Sequence, residues 1–89
     1  MKKIKITRPS AKEAEKLGID KWEKWSSPPT AFDWEYPEEE TAYVFEGRVK
    51  VKTEWEEVEI KAGDLVVFPK GLKCRWEVHQ TIRKVYRFS

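Results

Sequence analysis

Eighty-nine residues allow one domain with a thin core, and a lone cysteine, Cys74, excludes an internal disulfide and points to a reducing interior. Lys and Arg number 18 against 16 Asp and Glu, so the net charge of +2 is too small to announce a nucleic-acid surface. No apolar run is long enough to span a bilayer, and Met1-Lys2-Lys3-Ile4 lacks the apolar centre of a secretory leader, so no membrane partner and a cytoplasmic location are expected.

Residues 2–7 alternate, with Ile4 and Ile6 on one face, and predict an N-terminal strand. A short helix follows, with Ser10 as N-cap, Glu13 as its capping-box partner and Gly18 as the stop. Lys21 to Trp25 reads equally as a brief strand or an extended link, and Ser26-Ser27-Pro28-Pro29 breaks the chain. From Phe32 the period is two almost everywhere. Phe32, Trp34 and Tyr36 share a face, and Thr41 to Glu46 forms the next strand after Pro37. Glu46-Gly47 is expected to turn a hairpin into Arg48 to Thr53, and Trp55 to Lys61 returns. Leu65 to Phe68, Lys73 to His79 and Ile82 to Phe88 complete the series. Seven to nine short strands with one minor helix predict an all-β sandwich or barrel. The division is an N-terminal strand and helix over 1–25 and a barrel over about 30–88, all within one domain, 1–89. Abundant Lys and Glu, with a single Gln and no Asn, are those of a heat-adapted protein.

The most informative stretch is Gly63 to Cys74. A buried-type run, Leu65 to Phe68, ends at Pro69, which cannot donate to a ladder, and Gly71 supplies the positive φ of a tight turn. The run delivers Cys74 to the start of the next strand. Glu40 to Gly47, spaced as Glu, six residues, Gly, resembles the close of the first cupin motif. Gly63 to Cys74 resembles the second, which runs Gly, five residues, Pro, one residue, Gly, two residues, His. The 15 intervening residues suit small microbial cupins. The run Trp34 to Tyr86 is similar to the branch with ureidoglycine aminohydrolase-like and ethanolamine-utilisation-like proteins. The resemblance implies a single small cupin, a double-stranded β-helix or jelly-roll barrel.

The family's metal ligands are largely replaced here. Its His-x-His positions fall on Asp33 and Glu35, or on Trp34 and Tyr36, and its second-motif His is Cys74; only Glu40 is kept in type. Glu40 and Cys74 are thus the two candidate ligands for a divalent metal, with Tyr36, Glu35 or Asp33 as further donors, against the three or four that zinc or iron sites use.

The resemblance implies that Cys74 points into the barrel as the family's His does, and strand parity then places Trp76 and Val78 inside with it and Lys73, Arg75, Glu77 and His79 outside. Glu40, Ala42 and Val44 share a face, as do Lys84, Tyr86 and Phe88. Each candidate has a plainer role: Cys74 as a small buried hydrophobe, Glu40 as part of a solvated Glu38-Glu39-Glu40 turn, Lys84 as an exposed strand residue, and the aromatics as core. The functional alternative is a small-molecule enzyme. Glu40 serves as acid or base, Cys74 as nucleophile or polar contact, Tyr36 and Lys84 as orienting groups, and Phe32, Trp34, Trp76 and Tyr43 as the substrate-binding wall. A compact nitrogen-containing or carbonyl metabolite suits such a site. The alternative is a non-catalytic module that holds a metabolite without changing it. Single-stranded nucleic-acid binding is disfavoured because parity sets Trp76 opposite Lys73 and Arg75. A homodimer is expected, with the strand around Ile4 and Ile6 paired to a second subunit.

Overall fold

In the computed structural model, which describes residues 2–89 and leaves Met1 outside, seven strands pair antiparallel throughout: β1 (Lys5–Thr7), β2 (Glu23–Ser27), β3 (Thr30–Glu35), β4 (Glu40–Thr53), β5 (Glu57–Lys61), β6 (Leu65–Phe68) and β7 (Lys73–Phe88). One helix, α1 (Ala11–Lys16), precedes a short 3-10 turn over Ile19–Lys21. No helix among the described residues is long and apolar enough to cross a membrane.

The two long strands organise everything else. The first half of β4 pairs with β6 and with the last half of β7; its second half pairs with β5 and with the first half of β7. β2 extends the sheet from the last half of β7, and β3 from the first half. The strands thus form two leaves, with β4 and β7 passing from one to the other, and the enclosed core includes Val44, Val49, Val51, Ile60, Val66, Phe68, Leu72 and Ile82. This is the all-β barrel of the sequence reading, built from seven strands of which two, β4 and β7, are long.

Two expected breaks are bends instead. Glu46-Gly47 is not a hairpin: the ladder between β4 and β7 slips between Val44 and Val49 and then resumes, so the strand bulges without reversing. Gly47 has φ +103°, and a Cβ there would meet the Thr81 carbonyl oxygen at 2.5 Å and the Ile82 Cα at 2.7 Å. Glycine is required because two backbones cross there. Gln80-Thr81, opposite, stays within β7.

The remaining punctuation has local causes. Ser10 and Glu13 form a reciprocal capping box at α1, with Glu13 Oε1 accepting from the Ser10 amide at 2.9 Å. Gly71, at φ +81°, donates to the Tyr36 carbonyl at 2.7 Å, and the Tyr36 amide donates to Leu72 O at 3.0 Å. The Pro69–Leu72 turn thereby clamps Tyr36 after β3. α1 and the 3-10 turn cover the outer face of one leaf, where Ala14, Ile19 and Val85 pack with Trp22 and Tyr43. Within the chain β1 pairs with β6, Ile6 opposite Val66, and Ile4 is buried, while β1 ends the strand order.

Candidate functional site

β4 begins with Glu40 facing inward, and alternation carries Ala42 and Val44 to the same side. On β7 the same alternation turns Ile82 and Lys84 inward. Glu40 lies opposite Phe88, Ala42 opposite Tyr86 and Val44 opposite Lys84. The long Lys84 side chain spans those rungs, and its Nζ donates to Glu40 Oε2 at 2.7 Å. Both residues are buried, at 5% exposure for Glu40 and 8% for Lys84.

Four rings surround the ammonium: Nζ lies 4.8 Å from the centre of Trp76, 5.1 Å from Trp25, 5.3 Å from Tyr86 and 5.9 Å from Phe68. Their faces supply quadrupolar stabilisation where water has been removed. The rings brace one another, with Trp25 edge-on to Trp76 and Phe32, and Phe32 stacked on Trp76 at 5.9 Å. Above the pair is a cleft of about 500 Å³ walled by Trp25, Phe32 and Trp76. Trp34 and Phe88, both nearly half exposed, form its rim, and Ser27 and Thr30 line it with hydroxyls.

Burial pulls the Lys84 ammonium below the ordinary lysine range, and the Glu40 carboxylate opposes that shift. Tyr36, stacked on Phe68 at 4.6 Å and accepting from Trp76 Nε1 at 3.2 Å, is pushed far above the usual tyrosine range by burial and then by Glu40. It therefore remains a neutral phenol. The Cys74 thiol is pushed up to about 11, chiefly by burial, and its Sγ donates to the Trp34 carbonyl at 3.6 Å.

Of the sequence-predicted site residues, Glu40, Lys84, Tyr36, Phe32, Trp34 and Trp76 all line this cleft. Cys74 and Tyr43 do not. Cys74 shares the inward face of β7 but sits beyond Trp76, beside a separate shallow depression lined by Asp33, Thr53 and Lys73. A neutral thiol turned toward a carbonyl is not poised as a nucleophile. Tyr43 has the opposite parity to Glu40 and Ala42 and packs under the helical cover. Sequence reasoning missed Trp25 and Ser27 on β2. Their signal was period-two spacing, masked by the polar run and prolines around them. His79 is exposed on the outer face, 3.9 Å from Glu77.

The donor set does not fit a metal. Among the described residues, no three His, Cys, Asp or Glu side chains are grouped to hold an ion. Asp33 pairs with Arg75 at 3.2 Å on the surface, Glu35 is exposed, and Glu40 already faces a cation in Lys84.

Comparison with known proteins places these features in context. Residues 14–86 match the EutQ-like cupin domain. A crystal structure of a DUF861 family protein from Thermotoga maritima is 42% identical, with a TM-score of 0.94 over 98% of this chain and 100% of that one. The Clostridium difficile EutQ protein is 21% identical, with a TM-score of 0.65 over 96% of this chain and 66% of that one. A predicted oxalate decarboxylase from Thermotoga maritima is 20% identical, with a TM-score of 0.56 over 93% of this chain and 76% of that one. The last two likenesses speak for the fold alone. A search of curated proteins gave no significant match.

Proposed function

We propose a function from one premise: the chain belongs to the EutQ-like cupin domain family. It binds a small metabolite in the aromatic cleft and performs acid–base chemistry on it with the Glu40–Lys84 pair. The observation that carries this reading is a buried, hydrogen-bonded carboxylate and amine, 2.7 Å apart, lining an open apolar cleft. A volume of about 500 Å³ suits a compact ligand. Burial lowers the proton affinity of the Lys84 amine, which eases release of its proton to the carboxylate beside it. Tyr36 serves as a neutral hydroxyl beside the pair, and the rings exclude water and orient the substrate. Cys74 supports Trp34 at the rim.

A second reading is favoured by the same neutralised pair: the cleft holds a metabolite without turning it over. The two separate in one experiment. Thermal-shift screening of small carbonyl and nitrogen-containing metabolites identifies a ligand, and product analysis follows on each hit. Acid–base catalysis predicts product that falls at least about a hundredfold in Glu40→Gln, the usual scale of a general acid or base. Stabilisation with no product by any hit leaves the binding module, and turnover unchanged in Glu40→Gln removes the pair from the chemistry.

A further inference from the structure

We infer that Lys84 is an amine nucleophile that condenses with a neutral aldehyde or ketone in the cleft to form an imine. The inference rests on the cleft being a small-molecule site, and it adds the reacting atom and the substrate class.

Lys84 is the one buried lysine among the described residues, and it lines the cleft. Its single hydrogen-bond partner is Glu40, and rings occupy much of its remaining surroundings. An amine held this way has somewhere to send its proton and little water to keep it charged. Lysines become nucleophilic by desolvation in such settings. Tyr36, which lines the same cleft, and Cys74 are both held neutral by burial, so neither competes for that proton.

The step balances without a redox partner. The Nζ proton passes to Glu40 along their hydrogen bond, leaving a neutral amine and a carboxylic acid. The nitrogen lone pair attacks the carbonyl carbon, a C–N bond forms, and the carbonyl electron pair moves to oxygen, which takes the proton from Glu40. Glu40 then accepts a nitrogen proton from the carbinolamine and returns it to the departing hydroxyl. The C–O bond breaks, water leaves, and the C=N bond remains.

The ligand class follows from the walls. The Glu40–Lys84 pair sums to zero charge, so an anionic substrate gains no net field from it. Trp25, Phe32 and Trp76 offer ring faces, and Ser27 and Thr30 offer only hydroxyls at the cleft edge. A flat, uncharged carbonyl compound is complementary to that lining.

The test uses benzaldehyde, with benzyl alcohol as the non-carbonyl control, and sodium cyanoborohydride to reduce any imine. Peptide mapping by mass spectrometry locates N-benzyl lysine, and tryptophan fluorescence reports occupation of the cleft. The expected result is benzylation of Lys84 at neutral pH at least about tenfold faster than of any other lysine, since a desolvated amine beside a proton acceptor is the more nucleophilic. Lys84→Arg abolishes that label. If both compounds change the fluorescence but Lys84 stays unmodified, the imine is overturned and the cleft remains a binding site. If neither compound changes the fluorescence and Lys84 is unmodified, the small-molecule reading falls as well.

Discussion

Arg83 and Lys84 are neighbours on β7, and each reaches across to a glutamate of β4. Arg83 Nη2 lies 3.0 Å from Glu46 Oε1 and Lys84 Nζ lies 2.7 Å from Glu40 Oε2, yet the outer pair is 58% exposed on both sides and the inner pair is buried. On the outside the partners support each other: Arg83 lowers the pKa of Glu46, and Glu46 raises that of Arg83. On the inside, burial dominates and pulls Lys84 down despite its partner. Similar ion-pair geometry has opposite consequences because water screens one pair and is absent from the other.

The largest effect expected from breaking this contrast is at the inner pair. Lys84→Met leaves a buried carboxylate without its cation and is expected to lower stability by about 3–5 kcal/mol in urea unfolding. Glu40→Gln has the same direction, and Glu40→Gln with Lys84→Met recovers most of the loss because no buried charge remains. A double variant as unstable as the single ones would mean that the pair's packing, not its charge, carries the effect.

Gly47 comes next, since it lies beside Glu46 and against the segment of β7 leading to both cations. Gly47→Ala forces a side chain into the Thr81–Ile82 backbone from a left-handed conformation, and a loss of about 1–3 kcal/mol is expected. An unchanged denaturation midpoint would show that the bulge relaxes freely.

Cys74 sharpens the comparison by separating burial from pairing. Its folded-state pKa of about 11 lies above the ordinary value of 9.0. Between those values the folded protein keeps a proton that the unfolded chain has lost, so stability falls as pH rises through the window. Below pH 9.0 the contribution is fully present. Iodoacetamide alkylation should accelerate with an apparent pKa near 11, and Cys74→Val should abolish that part of the alkaline loss. An apparent pKa near or below 9.0 would return the thiol to the list of nucleophiles.

The smallest effect is outside. Arg83→Ala and Glu46→Ala are expected to leave the urea midpoint within error at moderate salt, because exposed ion pairs contribute little. A salt-insensitive loss comparable to that of Gly47→Ala would contradict the distinction between faces.

Much of this contrast was legible before any coordinates. Alternation groups Trp76 with Cys74 and Lys84 with Tyr86 and Phe88, the cupin resemblance rather than alternation turns Glu40 inward, and the capping box and proline turn fall where their residue chemistry requires. Alternation assigns a face but not a depth, which is why Cys74 was grouped with Glu40 although it lies beyond Trp76. Glycine has the same local signature in a hairpin and a bulge, so Glu46-Gly47 read as a reversal until its long-range partners, Thr81 and Ile82, were known. Tyr43 was grouped with the wall although its parity opposes that of Glu40. Trp25 was obscured because β2 is short and runs into polar residues and prolines.

The uninterrupted passage of β7 between the leaves has a further consequence for sequence change. Deleting one residue between Gln80 and Arg83 would rotate the chain beyond it by one position, offering Arg83 to the interior and Lys84 to bulk water. Length variation is therefore far more hazardous here than at the turn after Thr53, where the chain reverses at the surface. A single lost codon in this short crossing would invert the cleft's chemistry while leaving every amino-acid type in the protein almost unchanged.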